Sequence, residues 1–371
     1  MSAPTTSLAP ADAADLSQVR RALVIKLRHH GDVLLSSPVF SVLRQHAPHV
    51  ELDALVYADT AEMLSGHPAI ARLHLIDRKW KSAGWLSRAS AEWQLWRTLR
   101  ARRYDLLIHL TEHRRGMWLA KTLGAGIRVA PRARGDDPMW NQAFSHLYAP
   151  PRLGNTRHTV EVNLDALRRL GLAPHEDARA LTLVPGAEAE ACVAALLRGH
   201  GLADRGFIQV HPASRWMFKT WPAQNTAQLI DKLAQDGHRI VMTAGPAPAE
   251  LALVAAIKAH AGTPIVDLSG RLTLKELAAL TARARAFIGV DSAPMHIASA
   301  MGTPALALFG PSGEIEWGPW RNAHRIVSST RHPCRPCGND GCGGSKVSEC
   351  LTTLPVARVL DEVRSLLNEA T

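Results

Sequence analysis

Short apolar runs alternate with helically spaced stretches along most of this chain. In the first half, residues 22–27 (ALVIKL), 50–56, 73–76, 105–110 and 126–130 predict strands. Apolar positions at Val33, Leu34, Val39, Val42 and Leu43 predict a helix after the first of them, and further helices are expected at 61–64, 86–103 and 159–170. The basic stretch 131–157 has no period and reads as irregular. Helical spacing lapses over 173–186, where Pro185-Gly186 breaks the chain, so a linker is placed there. The alternation then restarts: helix 188–198, strand 207–210, helix 223–235, strand 239–243, helix 250–260, strand 265–267 and helix 274–283. A strand, helix and second strand follow within 287–311 (FIGVDSAPMHIASAMGTPALALFGP), and 355–369 reads as a last amphipathic helix. Strands apolar throughout, alternating with helices, predict parallel sheets covered on both faces. The expected architecture is therefore α/β, with two Rossmann-like domains at 21–175 and 186–354 facing a cleft. Residues 1–20 read as a loose tail and 355–371 as a C-terminal helix of its own.

Composition narrows the class. A hydrophobic content of 46% with 20% charged residues describes a globular protein with substantial cores. No stretch approaches the roughly 18 apolar residues of a membrane span. The N-terminus has neither a basic start nor an apolar centre, so no secretory signal is expected and the chain is placed in a reducing cytoplasm. There the five cysteines read as thiols or metal ligands. The net charge of +10 favours an anionic partner, and nucleic acid, a nucleotide-sugar and a phosphorylated glycolipid all satisfy it.

Candidate chemistry gathers at strand ends. After the strand 287–290, Asp291 and Ser292 suit a helix N-cap, and Pro294 suits a first turn. The helix start there, with Ala293 and His296, offers N–H groups and a positive dipole end to an anion. After the strand 207–210, Ser214 offers a hydroxyl and Arg215 and Lys219 offer cations, the groups needed to neutralise a pyrophosphate leaving group. No D-x-D motif suggests a metal-dependent transferase. After the first strand, Gly31 would let the backbone approach a ligand, and Asp32 is either a plain N-cap or a reacting carboxylate. Glu250 reads as a surface helix-start residue or a ribose partner. Cys192 reads as core. The cysteines Cys334, Cys337, Cys342 and Cys350 form C-x2-C-x4-C-x7-C among glycines: a zinc site, or simple thiols with an inner spacing too short for a zinc ribbon. Between 79 and 103, Trp80, Trp85, Trp93 and Trp96 lie among seven Lys or Arg residues. That mixture suits a membrane interface or an anionic sugar lipid, or else tryptophans packed on the sheet beneath a solvated basic face.

Three blocks, in this order and spacing, carry a resemblance. The K-x-x-x-x-G-D-V pattern at Lys26, Gly31, Asp32 and Val33, the W-x-x-K-x-W segment around Lys219, and the D-S-x-x-x-H turn at Asp291–His296 before G-T-P-x-x-x-L-F-G resemble glycosyltransferase family 9. The family assembles the lipopolysaccharide core, and the W-x-x-K-x-W variant resembles its heptosyltransferase III branch. The resemblance implies a GT-B fold with the acceptor on the first half and the nucleotide on the second. It implies an inverting, metal-independent transfer of L-glycero-D-manno-heptose from ADP-heptose, with no cofactor, to the lipopolysaccharide inner core. Asp32 would be the catalytic base. The donor would lie against Ser214, Arg215, Lys219, Asp291, Ser292, Ala293 and His296. The protein would be cytoplasmic and peripheral at the inner face of the membrane, with no nucleic-acid partner. Rivals are a first or second core heptosyltransferase, a GT-B nucleotide-sugar epimerase, or a basic nucleic-acid-binding protein with a zinc loop.

Overall fold

In the computed structural model, which describes residue 10 and residues 12–369 apart from 83, 134, 136 and 152, the apolar runs become two six-stranded parallel sheets. The first holds β1 (Arg21–Ile25), β2 (Glu51–Tyr57), β3 (Ile70–Ile76), β4 (Leu106–His109), β5 (Ile127–Pro131) and β6 (His146–Tyr148). The second holds β7 (Phe207–His211), β8 (Arg239–Met242), β9 (Val266–Asp267), β10 (Ala286–Val290), β11 (Ala305–Phe309) and β12 (His324–Ser328). Their orders are β3-β2-β1-β4-β5-β6 and β9-β8-β7-β10-β11-β12, so both halves share one winding. In each, the order reverses at the sheet's centre, between β1 and β4 and between β7 and β10. Open α/β sheets bind ligands outside the carboxyl ends of the strands at this point.

The chain divides into one compact unit of residues 1–152 and 159–182 and another of residues 153–158 and 183–371. The crossing segment 153–158 thus belongs with the second half, whereas the reading from sequence placed it in the first. Residues 1–9 and 11 of the expected tail lie outside the described residues. From Asp12 onward the tail is docked on the first unit. Asp12 pairs with Arg169, Ala14 N–H donates to Leu170 O, and Leu16 and Val19 are buried. The helix Val356–Glu369 is likewise no separate segment. It buries Val359, Leu360, Val363, Leu366 and Leu367 in the second unit's core, against the helix Ala223–Gln235. Each such side chain contributes about 1.5–3 kcal/mol by leaving water.

Two stretches differ from expectation. Residues 131–157 are not irregular throughout; they hold the helix Pro138–Ala143, capped by Asp137, and the edge strand β6. The expected helix at 61–64 is a 3₁₀ segment, Ala58–Met63. β7 and β10 are buried at every position, and one position in β10 requires glycine. A Cβ on Gly289 would stand 3.0 Å from His211 O of the neighbouring strand and 2.7 Å from the Phe287 ring.

Candidate functional site

The second unit's switch point is bordered by the loops after β7 and β10. The first opens with His211, whose Nδ1 lies 3.0 Å from Thr243 Oγ1. Burial drives this imidazole down to about 4, so it stays neutral. Ser214 is buried, and its Oγ accepts a bond from Trp216 N–H, which fixes the turn and leaves Arg215 exposed. The Arg215 guanidinium sits 5.4 Å from the Trp216 ring centroid. Trp221 closes the loop by donating its indole N–H to Leu354 O at 3.1 Å. Between these anchors, Lys219 reaches across to β10. Its Nζ lies 2.6 Å from Asp291 Oδ2, with the two side chains only 20% and 8% exposed.

This ion pair changes the expected role of Asp291. Its carboxylate does not cap the helix Ala293–Ala300. Ser292 occupies the N-cap position, but its hydroxyl turns back to donate to Val290 O instead. The first-turn N–H groups therefore keep no side-chain acceptor from the cap residue, which leaves that terminus suited to an anion. Ala293 is half-buried on this turn and His296 is buried one turn further in.

Lys219 also borders a cavity of about 530 Å³ within the second unit. Its other walls include Trp216, Phe218, Asn155, Gly313 and Trp317. Asn155 is held at φ +55°, and its Oδ1 accepts from Ile315 N–H at 2.8 Å and Glu316 N–H at 3.1 Å. A Cβ at Gly313 would stand 2.3 Å from that oxygen, so the contact needs glycine. His158 extends the anchorage, with Nε2 at 3.0 Å from Gly318 O and its ring stacked on Trp320. Sequence reasoning missed Asn155 and Gly313. The available signal was Gly310-Pro311-Ser312-Gly313 at the carboxyl end of a central strand.

The cysteine loop forms another wall, with Cys337 and Gly338 at the cavity. Among the described residues, no three His, Cys, Asp or Glu side chains converge to hold a metal ion. Cys334, Cys337, Cys342 and Cys350 are not gathered into such a group in this structure. Cys334 and Cys337 face solvent, while Cys350 is buried and its thiol is pushed up by that burial. Hydrogen bonds and an ion pair hold the loop. Arg335 Nε donates to Gly310 O at 2.6 Å and its guanidinium pairs with Glu314. Gly338 N–H donates to Pro311 O, and Ser348 Oγ donates to Phe218 O beside Lys219. Glu250 is also occupied: its Oε2 accepts from Gly245 N–H at 2.8 Å, the helix-start role.

The first unit's switch point holds the other carboxylate. The helix His30–Leu34 begins three residues earlier than an Asp32 cap would require, with His29 as its N-cap residue. Asp32 is therefore inside the first turn, half-exposed, and among the described residues it makes no hydrogen bond or ion pair. Gly31 is helical too, and its φ is not positive, so conformation does not demand glycine there. Behind Asp32 lies Lys26, which is buried, with Nζ donating to Asn163 Oδ1 at 2.9 Å and Leu110 O at 3.3 Å. Burial lowers the ammonium to about 8, and the charge of Asp32 works against that. Lys26 joins the β1 and β4 ends, and Asp32 stands in its field with acceptor oxygens that no described residue occupies.

Comparison with known proteins bears on this geometry. The profile of glycosyltransferase family 9 (heptosyltransferase) matches residues 92–347. Lipopolysaccharide heptosyltransferase 3 of Escherichia coli K12 is 36% identical over 302 residues, covering 79% of this chain and 83% of that one. Lipopolysaccharide heptosyltransferase 1 of Pseudomonas aeruginosa is 24% identical over 366 residues, covering 94% and 98%. Among solved structures, a family 9 glycosyl transferase from Veillonella parvula superposes with a TM-score of 0.82 at 24% identity, covering 97% of this chain and all of that one. The E. coli heptosyltransferase WaaC with ADP gives 0.70 at 20% identity, covering 95% and 100%. These superpositions establish the GT-B fold.

Proposed function

This chain belongs to glycosyltransferase family 9, the heptosyltransferases, and from that premise we propose that it moves L-glycero-D-manno-heptose from ADP-heptose to the inner core of lipopolysaccharide. The 36% identity to a heptosyltransferase 3 favours the third-heptose branch. The observation that carries the reading is that each unit bears candidate chemistry at its own switch point: Asp32 after β1 in one unit, Lys219 and Asp291 after β7 and β10 in the other.

The chemistry is a single inverting displacement. The acceptor oxygen bonds to the anomeric carbon as that carbon's bond to the ADP β-phosphate oxygen breaks on the opposite face. The hydroxyl proton passes to Asp32, whose oxygens are not otherwise occupied, and the electron pair leaves with ADP. Lys219, Arg215 and the helix start at Ala293 offset the charge that grows on the pyrophosphate. Asp291 holds the Lys219 ammonium in place by their 2.6 Å contact. The buried Lys26 ammonium and the Asp32 carboxylate attract, which offsets part of the cost of burying Lys26.

Working on a lipid-linked acceptor would place the protein in the cytoplasm, at the inner face of the membrane. Among the described residues no helix is long and apolar enough to cross a membrane. Mass analysis after incubation with ADP-heptose, with and without core acceptor, tests the reading. It requires one added heptose and one ADP released only when acceptor is present. Conversion of ADP-heptose alone would indicate an epimerase instead.

A further inference from the structure

The first unit carries an aromatic surface that heptosyl transfer does not use. The helix Trp85–Ala101 buries only Leu95 and Leu99 among its seventeen residues. Trp96 is half-buried against the first unit's core, while Trp85 is 77% exposed, Leu86 65% and Trp93 56%. On the neighbouring helix Arg114–Leu123, Trp118 is 57% exposed. The indoles form one ridge. Trp93 stacks on Trp96 at 4.9 Å, Trp96 Nε1 donates to Thr122 Oγ1 at 3.1 Å, and Thr122 lies one turn beyond Trp118 and donates to its carbonyl.

Cations are interleaved with them. Arg88, Arg97, Arg100, Arg114 and Lys121 are exposed on the same two helices. Glu92 is their one acidic residue, and it is already paired with Arg115. Arg100 lies over the Trp96 ring and donates to Thr122 O, so it is fixed at the ridge. A tryptophan packed only on the core would be covered, as Trp85, Trp93 and Trp118 are not. Of these cations Arg114 lies 3.9 Å from Asp137, and indoles spaced among the others fit a boundary where an apolar layer meets fixed negative charge.

We infer that this ridge is the surface by which the protein docks on a bilayer containing anionic lipid. The inference rests on the lipid-linked acceptor proposed above. The placement suits it, because a helix that follows a parallel strand begins at the strand's carboxyl end. Trp85 after β3 and Arg114 after β4 therefore start at the end of the sheet where Asp32 stands.

Flotation of the full chain with phosphatidylglycerol-containing vesicles, against pure phosphatidylcholine vesicles, tests this. The expected result is salt-sensitive binding to the anionic vesicles only. Trp85→Ser/Trp93→Ser/Trp118→Ser should weaken it at least tenfold, and each of Arg88→Gln, Arg97→Gln and Lys121→Gln about five-fold. These positions are exposed, so far-UV circular dichroism and Tm should not move. Turnover on a delipidated, water-soluble core acceptor should also stay unchanged, while turnover on vesicle-borne acceptor falls. No binding by the wild type, or undiminished binding by the triple variant, overturns the inference. Equal loss on the soluble acceptor assigns the ridge to sugar binding and overturns it as well. Absence of any heptosyl transfer, with vesicle binding intact, defeats the proposed function and leaves the docking surface standing.

Discussion

Replacing Lys219 by alanine probes the donor site through its one direct ion pair. Lys219 Nζ and Asp291 Oδ2 are 2.6 Å apart in a largely covered setting. A charge-assisted bond from Lys219 to a pyrophosphate oxygen contributes roughly 1.5–3 kcal/mol, so its loss should weaken ADP binding about 10- to 150-fold. The variant has a second effect, because Asp291 is left as an almost buried anion without its counter-charge. Breaking a buried pair from one side costs about 3–5 kcal/mol, and the 20% exposure of Lys219 favours the low end of that range. Lys219→Ala should therefore lower both thermal stability and ADP affinity. Lys219→Ala/Asp291→Asn should recover most of the stability, since no unpaired charge remains, while affinity stays well below wild type. Calorimetry and thermal melts on Lys219→Ala, Asp291→Asn, the double variant and the wild type close the cycle. Unchanged ADP affinity in Lys219→Ala would refute the reasoning. Full recovery of affinity in the double variant would show that Lys219 only shields Asp291.

Two other predictions concern the frame around the site. Asp53 is fully buried on β2; burial raises its carboxyl, but bonds from His74, Arg102 and Tyr104 outweigh that and hold it at about 2, below its ordinary 3.8. A depressed carboxylate stabilises the fold above the unfolded value, and that contribution is lost as pH falls from 3.8 through about 2. Asp53→Asn should cost about 3 kcal/mol near neutral pH, because Arg102 loses one partner but keeps Glu51, and should flatten the acid limb of a pH-stability profile. For the cysteine loop, a strong chelator should change neither Tm nor turnover; a loss of several degrees on chelation would favour the metal alternative.

Much of the fold was legible because central parallel strands are apolar on both faces and therefore show as runs. The edge strands β6 and β12 were not, being short and half-exposed, with polar residues such as His146 and Arg325 in place of a run. Lys219 and Asp291 could each be found from a strand end followed by a turn. Their pairing could not, since 72 residues separate them in sequence. Asn155 was invisible for a similar reason: its partner residues lie about 160 positions away, and a lone asparagine in an aperiodic stretch carries no signal. Asp32 was misjudged as a possible cap because the helix starts at His30, a boundary that side-chain preference alone does not set. The docked tail followed the same pattern, its burial resting on two isolated apolar residues, Leu16 and Val19.

The account turns on Asp32 as the base, and its placement makes that testable. Asp32 caps nothing and bonds nothing among the described residues, so Asp32→Asn should leave the fold intact. It removes only the capacity to take the acceptor proton. Steady-state turnover of Asp32→Asn with ADP-heptose and core acceptor, alongside its Tm and ADP affinity, is the direct measurement. The account predicts a kcat lower by about 10²–10⁴ with Tm and ADP affinity near wild type. Near-normal kcat in the folded variant would contradict it and remove Asp32 from the mechanism.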